Sequence, residues 1–574
     1  MSELEPVKVG GDDETQGANT TALDAVGWRN CDPVATAHAS DGDDRQGAAQ
    51  VVDKSEPHGP TPAHDDHDDD SEPELRMNQA AVLVDLASDA ELFHNSDKDA
   101  FATISVNGHR ETHSLRSSGF LQWLRKRYWE AEGKPARSQP LHDAINTLAS
   151  KAIFEGCERQ VAVRLAMHEN AIYLDLLDSE WRAVGVTSAG WRVLSDPPVR
   201  FVRRRGMLAL PVPVAGGRVD ELRQFVNVPD DDTWTLVKSW MLGALHPKNK
   251  YPILVVNGEH GSAKTTLSRM VRAMIDPNHT DLRSAPKDER DLMIAANNGW
   301  VVGFDNLSKI PDDLSDSLCR LATGGGFATR QLYTDDEEKL FNGARPIILN
   351  GIEELGTRPD LIDRVIHVSL PTISAQCRKP ESDLWAAFYD ARPRILGALL
   401  TAVSEALRNL PTVRLTTLPR MADFAKWVVA GEPALSIAPA AFLRAYDENR
   451  TTGNQRALEV STVAQALLSL MSEVECWRGT PKQLLEELTA RHTDERARRR
   501  HDWPSHPRAL CNALKRLAPS LRHAGVHVEF PPTRTKHGTV VAIERCGESS
   551  SPSAPSTPQA LPGDDGADSV DVAP

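Results

Sequence analysis

A ten-residue segment, NGEHGSAKTT, contains the residue types that bind a nucleotide phosphate chain. It begins at Asn257, directly after the apolar run YPILVV; we call residues 257–266 the candidate phosphate loop. Gly258, Lys264 and Thr265 keep the spacing of the known phosphate-loop pattern, and Ala263 replaces its second glycine. In such a loop, backbone N–H groups and the start of the next helix contact the phosphates, and the lysine neutralises their charge. The pattern therefore predicts a nucleoside triphosphate site.

The alanine is not expected to abolish binding. Gly258 and Gly261 still supply flexible positions, and we expect Ala263 to adopt ordinary helical dihedral angles because the helix TTLSRMVRAMI starts there. Thr265 is expected to provide a hydroxyl ligand to Mg²⁺. The expected ATP contacts are Gly258, Gly261, Ser262, Ala263, Lys264, Thr265 and Thr266.

A second apolar strand ends in an acidic residue that would complete the metal site. In NGWVVGFDNLSKIP, the strand predicted from Trp300 to Phe304 is followed by Asp305, a predicted Mg²⁺ ligand together with Thr265. Asn306 comes next, where many ATPases have a glutamate that activates water; an amide orients a water but is no general base. Metal binding is thus better supported than hydrolysis. The alternative is a strand that merely ends in an Asp-Asn turn.

Two further polar residues complete the candidate catalytic set. RPIILNGIEEL predicts a third strand ending in Asn350, which would sense the γ-phosphate, unless Asn-Gly only forms a turn. In TRPDLIDRVIHVSLP, Arg364 is predicted to stabilise transition-state charge in a neighbouring subunit's site. Its alternative is a local salt bridge with Asp360 or Asp363. The candidate catalytic set is Lys264, Asp305, Asn306, Asn350 and Arg364.

Alternating strands and helices are needed to bring these residues to one edge of a sheet. That alternation covers residues 233–375 and predicts an α/β phosphate-loop ATPase core of the AAA+-like kind, followed by a helical extension over residues 376–456. Residues 77–230 predict an α+β domain, since a helical pattern precedes short alternating strands. Asp175 and Asp178 in this domain are explained by a surface strand, so we expect no polymerase chemistry.

Residues 458–546 predict a DNA-binding unit. Three helices and a β-hairpin in that order indicate a winged helix, and basic residues lie on its third helix and in the hairpin tip PPTRTKHG. Phosphate contacts from such residues dominate DNA affinity, and duplex DNA is the expected partner. The alternative is a protein-binding winged helix with a solvated basic face. The expected DNA contacts are Arg508, Lys515, Arg516, Arg534 and Lys536.

The order of motifs resembles that of superfamily 3 helicases, including viral and plasmid replication helicases, and of the poxvirus-type primase-helicase ATPases. The phrases DERDLMIAA, FDNLS, LCRLATGGGFATR and LNGIEEL also resemble ATP-binding proteins of bacterial mobile elements and prophages. This likeness runs from about Glu91 to the end of the C-terminal unit. It implies a AAA+-like core that assembles into a ring, commonly a hexamer, with ATP between subunits and Arg364 acting in trans. Ala263 and Asn306 depart from the pattern.

The same resemblance implies a DNA-contacting hairpin between the Asp strand and the Asn strand. The segment starts at Thr323 and Gly324. Single-stranded DNA in the ring channel would be moved as the hairpin responds to ATP binding, hydrolysis and release. The basic candidates for contact are Arg330 and either Lys339 or Arg345.

Composition restricts the cellular setting. The formal net charge is −16, but the acidic residues concentrate in two ends, residues 1–75 and 547–574, which we predict to be disordered tails. The folded middle is nearly neutral. No apolar run approaches the roughly 18–20 residues that span a bilayer, and the acidic N-terminus is not a signal peptide. Seven cysteines without metal or CxxC spacing favour a reducing cytoplasm.

These observations predict an ATP- and Mg²⁺-dependent, helicase-like DNA motor for replication of a mobile element or prophage. Asn306 favours an alternative, a DNA-bound ATP switch or loader with little hydrolysis. A small-molecule kinase would explain the candidate phosphate loop alone, but neither the C-terminal unit nor the Asn strand.

Overall fold

Three helices and a four-stranded sheet begin the N-terminal region. The second helix, α2 (Ser118–Glu132), starts where Ser117 Oγ accepts a hydrogen bond from the Phe120 backbone N–H, and it ends at Gly133 in the left-handed conformation. The helices are α1 (Gln79–Asp85), α2 (Ser118–Glu132) and α3 (Ser138–Phe154). The strands, in the spatial order β3-β2-β1-β4, are β1 (Glu91–His94), β2 (Ala100–Val106), β3 (His109–Ser114) and β4 (Cys157–Glu158).

A second N-terminal sheet is an antiparallel meander in the order β6-β7-β8-β9. The prediction that Asp175 lies on a surface strand is wrong, because its carboxylate is 2% exposed and pairs with Arg203 at 2.9 Å. Asp178 pairs with Arg182 at 2.7 Å. The remaining strands of this region are β5 (Val161–Ala162), β6 (Leu165–His168), β7 (Ala171–Asp175), β8 (Ala183–Thr187), β9 (Gly190–Leu194) and β10 (Arg200–Phe201).

The computed structural model describes residues 78–308, 310–330, 338–341, 343–351, 359–500, 502–531, 534–535 and 538–545. Both predicted disordered tails lie outside these ranges. Within them, no helix is long and apolar enough to cross a membrane.

A parallel sheet in the order β12-β15-β11-β16 forms the core. Alternate residues of β11 face opposite sides: Leu254 and Val256 pack with α4 and α5, while Ile253 and Val255 pack with α6 and α7. The core helices are α4 (Asp231–Ala244), α5 (Lys264–Ile275), α6 (Glu289–Asn297), α7 (Asp312–Thr323) and α8 (Pro359–Ile362). The core strands are β11 (Ile253–Gly258), β12 (Val302–Leu307), β13 (Phe327–Arg330), β14 (Glu338–Phe341), β15 (Ile347–Gly351) and β16 (Val365–Leu370).

The register of this sheet brings the predicted site residues to its carboxyl edge. Val256 of β11 lies opposite Asn350 of β15, and Phe304 of β12 lies opposite Leu349. The candidate phosphate loop follows β11 at the same edge. The sheet therefore places Asp305 and Asn350 beside the loop.

A buried ion pair connects the N-terminal region to the opposite, amino edge of the sheet. Arg164 Nε donates to Asp276 Oδ1 at 2.9 Å, and both side chains are fully buried. Asp276 is the residue that ends α5, and its Oδ2 accepts from the backbone N–H groups of Trp300 and Val301 just before β12. One carboxylate thus holds α5, β12 and the N-terminal region together.

The helical extension packs against the α4 and α5 side of the core. A 3-10 turn, Val219–Phe225, precedes the core and packs on α9. The extension consists of α9 (Glu381–Asn409), α10 (Ala422–Gly431) and α11 (Ala441–Val460).

The C-terminal unit has a three-stranded sheet in the order β17-β21-β18 beside its helices. Part of the segment CWRGTP, predicted only to join two helices, forms β17, with Trp477 opposite Ile543 of β21. The winged-helix assignment stays a prediction. The elements are α12 (Thr462–Glu473), β17 (Cys476–Gly479), α13 (Pro481–Arg491), α14 (Glu495–Arg498), α15 (Pro507–His523), β18 (Val526–Glu529), β19 (Arg534–Thr535), β20 (Gly538–Thr539) and β21 (Val541–Arg545).

Candidate nucleotide-binding site

The candidate phosphate loop turns sharply between β11 and α5. Gly258 has φ 156°, and a side chain there would place its Cβ 2.7 Å from the Leu370 carbonyl oxygen, so this position requires glycine. Gly261 has φ 78°, in the left-handed region. Ser262 is fully buried, and its Oγ donates to the Glu259 carbonyl at 2.8 Å. Close backbone packing therefore fixes the path of the loop.

Ala263 does not adopt the expected helical dihedral angles. It has φ 63° and ψ 31°, the left-handed conformation, at the residue just before α5. This conformation costs a non-glycine residue about 1–2 kcal/mol because Cβ crowds the following carbonyl. The prediction was wrong because α5 begins at Lys264, which leaves Ala263 just outside the helix. The alanine is tolerated in a backbone shape that favours glycine.

Lys264, Thr265 and Asp305 lie together at the carboxyl edge. Thr265 Oγ1 donates to Asp305 Oδ1 at 3.3 Å. Lys264 Nζ donates to the Glu259 carbonyl at 2.8 Å; burial lowers the pKa of this amine, and the nearby Asp305 carboxylate opposes that shift. Thr265 and Thr266 belong to the first turn of α5.

The oxygen pair of Thr265 and Asp305 fits Mg²⁺, which prefers one or two protein oxygens and completes its shell with water and phosphate oxygens. Within the described residues, no cluster of three His, Cys, Asp or Glu side chains is placed to hold a metal.

Asn306 and Asn350 contact each other through main chain and side chain. The pairing of β12 with β15 shifts between Phe304 and Leu307, and Asn306 has φ 54°. Its backbone N–H donates to Asn350 Oδ1 at 2.9 Å. Asn350 is 1% exposed, whereas the Asn306 side chain is exposed. Asn350 thus holds the Asp-Asn turn, and Asn306 is the amide that reaches solvent.

Arg364 lies at the opposite edge of the sheet. Its carbonyl accepts from the Ile253 backbone N–H at 2.7 Å, where β11 begins, while the candidate phosphate loop follows the end of that strand. The start of β11, beside Arg364, and the end of β11, beside the candidate phosphate loop, are five residues of strand apart, which is roughly 16 Å. The Arg364 guanidinium contacts Cys319 Sγ at 3.8 Å. The Asp363 carboxylate pairs with Arg450 at 2.9 Å.

Asn227, which the sequence analysis did not identify, forms hydrogen bonds with the candidate phosphate loop and with the segment that follows β16. Its Nδ2 donates to the Ser262 carbonyl at 3.2 Å and to the Pro371 carbonyl at 2.6 Å. The Ile373 backbone N–H donates to the Gly261 carbonyl at 3.2 Å. No local sequence pattern marks Asn227, because its partners come from distant parts of the chain.

The hairpin predicted from resemblance is present in the backbone. β13 and β14 pair antiparallel with Arg330 opposite Glu338, and Gly324 ends α7 with φ 83°. The side chains of Arg330 and Lys339 lie outside what the structure describes.

Arg345, the alternative to Lys339 for DNA contact, is a structural residue. Its Nε donates to the Ala296 and Gly299 carbonyls at 3.1 and 3.3 Å, and its guanidinium lies 5.1 Å from the Trp300 ring centroid. Burial lowers the pKa of Arg345 to about 10. These contacts hold the guanidinium against the residues that precede β12, so the structure favours Lys339 over Arg345 as the second basic candidate.

The C-terminal unit presents basic residues on one helix. Arg508, Lys515 and Arg516 are exposed on α15, whose opposite side buries its leucines. Lys515 Nζ lies 5.2 Å from the Phe530 ring centroid, beside a groove between α13 and α15. Of the two hairpin candidates, Arg534 is described only as backbone in β19, and Lys536 lies outside the described residues.

This basic helix also packs on the core. Ser520 Oγ of α15 donates to Asn454 Oδ1 of α11 at 2.8 Å, and both side chains are buried. Along α11, Asn449 Oδ1 accepts from the His367 backbone N–H at 2.9 Å and Asn449 Nδ2 donates to the His367 carbonyl at 2.7 Å. The C-terminal unit is thus attached next to β16.

Two family models match consecutive parts of the chain. Residues 219–450 match the actinomycete integrative conjugative element replication protein, and residues 463–557 match the C-terminal domain of that family. The core, the extension and the C-terminal unit are therefore similar to replication proteins of such elements. This agrees with the expected likeness to mobile-element proteins, while the assignment to superfamily 3 stays a prediction. A search of curated proteins gave no significant match.

Solved structures give only weak likenesses. An A-form apo structure of the NrS-1 C-terminal region is 11% identical, with TM-score 0.34, over 82% of this chain and 99% of its own. A JCV helicase with a bound acetamide compound is 14% identical, with TM-score 0.19, over 39% of this chain and 66% of its own.

Proposed function

We propose, from the premise that the chain is similar to replication proteins of actinomycete integrative conjugative elements, that it is an ATP-driven, helicase-like DNA motor of such an element. The observation that carries this proposal is the grouping of Lys264, Thr265 and Asp305, with Thr265 Oγ1 3.3 Å from the Asp305 carboxylate. These are the groups that bind a triphosphate together with a hard divalent cation.

Each group has a distinct role in the proposal. Lys264 neutralises phosphate charge, and backbone N–H groups of the candidate phosphate loop bind phosphate oxygens at the start of α5. Thr265 and Asp305 would hold Mg²⁺, which neutralises charge on the phosphates when bound. The exposed Asn306 amide orients the attacking water, and Asn350 fixes Asn306 by accepting its backbone N–H.

Arg364 supports a multi-subunit motor. It lies at the amino edge, across the sheet from the candidate phosphate loop of its own chain, so it acts on ATP bound to a neighbour. A head-to-tail ring, expected to be hexameric, gives every site one arginine from the next subunit.

DNA contacts are assigned to two places. The β13–β14 hairpin would contact single-stranded DNA in the ring channel through Arg330 and Lys339. The C-terminal unit would bind duplex phosphates through the exposed residues of α15, assisted by the hairpin residues Arg534 and Lys536.

A second candidate function is a DNA-bound ATP switch or loader. Asn306 favours it, because an amide with φ 54° takes the place of a carboxylate base. ATP-dependent DNA binding without turnover would support the switch.

The decisive experiment measures ATP turnover with and without single-stranded DNA. The motor predicts DNA-stimulated turnover that Lys264→Ala lowers by about 100-fold or more. Lys134→Ala, at an exposed lysine beyond α2, is the matched control and should leave turnover unchanged. Turnover that is insensitive to both DNA and Lys264→Ala would refute the proposal.

A mixing experiment tests the ring. Lys264→Ala and Arg364→Ala are each inactive, but a randomly mixed ring contains some sites with both wild-type groups, about a quarter of all sites. Activity should therefore return on mixing. Each protein alone at the same total concentration is the control, and a mixture no more active than its parts would contradict action in trans.

A further inference from the structure

A short segment after β16 crosses the candidate phosphate loop. We call residues 371–380 the crossing segment. Near its start, Pro371 accepts from Asn227 Nδ2 at 2.6 Å, and the Ile373 backbone N–H donates to the Gly261 carbonyl at 3.2 Å. At its end, Glu381 at the start of α9 pairs with Arg269 of α5 at 3.0 Å. The segment is anchored on both sides of the loop.

Arg378 in this segment reaches the loop itself. A Cβ added at Gly261 would lie 3.5 Å from Arg378 Nη2, which is van der Waals distance. The guanidinium therefore lies directly over a loop residue whose φ of 78° favours glycine.

Among the described residues, the Arg378 guanidinium forms no hydrogen bond and no ion pair. Arg269, the neighbouring arginine under the same segment, differs. It pairs with Asp281 at 2.8 Å and with Glu381 at 3.0 Å, and stacks near the Trp385 ring. The Arg269 guanidinium is thus already paired with carboxylates that hold the crossing segment, whereas the Arg378 guanidinium can bind an anion.

A triphosphate at the loop would be that anion. A guanidinium presents a rigid fork of donors that matches phosphate oxygens, and such charge-assisted bonds are about twice as strong as neutral ones. Arg364 lies across the sheet from the candidate phosphate loop of its own chain. Lys264 is therefore the one cation of the same chain that the sequence analysis predicted to bind the phosphates. Arg378 adds a second cation from the same chain.

We propose that Arg378 binds the phosphate oxygens of the nucleoside triphosphate in cis, from the side of the loop covered by the crossing segment. This rests on the proposed function, because it presupposes that the loop binds a triphosphate. It assigns a substrate-binding role to a residue outside every motif of the sequence.

The first test is ATP affinity by calorimetric titration of the full chain with Mg²⁺. Arg378→Ala should weaken binding about 10- to 100-fold, since it removes hydrogen bonds between charged groups, and Arg378→Lys should recover part of the loss. Lys379→Ala, the adjacent exposed cation, is the matched control and should change affinity less than about twofold. Thermal unfolding without nucleotide should be the same for all four proteins.

The outcomes separate the two proposals. If wild type binds ATP, Lys264→Ala weakens it and Arg378→Ala does not, then the role of Arg378 is refuted and the proposed function stands. If wild type binds no ATP, both fail.

The second test distinguishes cis from trans. A mixture of Lys264→Ala and Arg378→Ala contains no subunit with both cations, so turnover should stay at the level of the separate variants. Restoration, as expected for Lys264→Ala with Arg364→Ala, would overturn action in cis.

Discussion

The two edges of the central sheet are built from opposite kinds of interaction. At the carboxyl edge, Ala263 and Asn306 have positive φ angles, and polar groups face solvent. At the amino edge, Asp276 is fully buried and accepts bonds from Arg164 and two backbone N–H groups. Positive φ also occurs at Arg164 of the amino edge, so the two edges differ in their charges: buried and fully paired at the amino edge, exposed to solvent and open to a ligand at the carboxyl edge. Arg364 is the exception, a functional candidate at the structural edge.

The largest expected effect would come from that exception. Arg364→Ala should reduce ATP turnover by about 1,000-fold, the range of arginine fingers, because transition-state charge loses its partner. ATP affinity should change by less than about threefold, since ground-state binding is local to the other edge. Steady-state kinetics with a binding titration would measure both. Arg420→Ala, a half-exposed arginine paired with Asp363, is the control; an equal loss there would indicate a structural effect.

Substitution of one aspartate at each edge should affect the free energy of unfolding at the amino edge and Mg²⁺ binding at the carboxyl edge. Asp276→Asn should cost about 3–5 kcal/mol, because it leaves Arg164 as a buried charge without its partner. Asp305→Asn should leave the unfolding temperature within about 2 °C while raising the Mg²⁺ concentration needed for ATP binding by about tenfold or more. Thermal unfolding and Mg²⁺ titration measure these effects. The reverse pattern would mean that the two edges have been assigned the wrong way round.

Acid should weaken the β16 side of the sheet. Burial lowers the pKa of His367 to about 4, and Arg456 adds to that shift. The unfolded chain, with a pKa near 6.5, binds the proton first, so stability falls as pH drops from about 6.5 towards 4, by at most about 1.4 kcal/mol per pH unit.

His367→Gln should flatten part of that slope in urea titrations across this pH range. His246 is the internal comparison, because burial also lowers its pKa to about 4, so a residual slope of similar sign should remain. An unchanged slope in His367→Gln would contradict the assignment.

The smallest expected effect concerns strain in the candidate phosphate loop. Ala263→Gly should stabilise the core by about 1 kcal/mol, because glycine adopts the left-handed conformation without crowding. Ala273→Gly, the same change inside α5, should destabilise by about 1 kcal/mol or more. Urea unfolding of both proteins measures the pair, and shifts of the same sign would show that Ala263 carries no strain.

The local pattern of apolar and polar residues predicted the features that depend on neighbours in the sequence. The strand, turn and helix around Lys264, and the strand ends at Asp305 and Asn350, follow from apolar runs that stop at polar residues. The dihedral angles of Ala263 depend on the residue at which α5 starts. Because the helix begins at Lys264, Ala263 lies just outside it and takes a left-handed conformation.

The remaining features depend on distant partners. Asp175 is buried because Arg203 meets it, and Arg345 is structural because carbonyls from before β12 surround its guanidinium. Asn227 and Arg378 reach the loop only through tertiary packing. A single sequence contains these residues but not their neighbours, so Asp175 was expected at the surface, Arg345 was a candidate for DNA contact, and Asn227 and Arg378 had no expected role.

The Asn449 side-chain amide bonds both backbone groups of His367 on the outer strand β16. β16 is an outer strand of the central sheet, and such a strand exposes hydrogen-bonding groups to which a foreign strand can add. The amide of Asn449 occupies both backbone groups of His367, in the middle of that strand. Asn449 therefore blocks strand addition at His367, so a strand from another chain cannot extend the sheet continuously along β16.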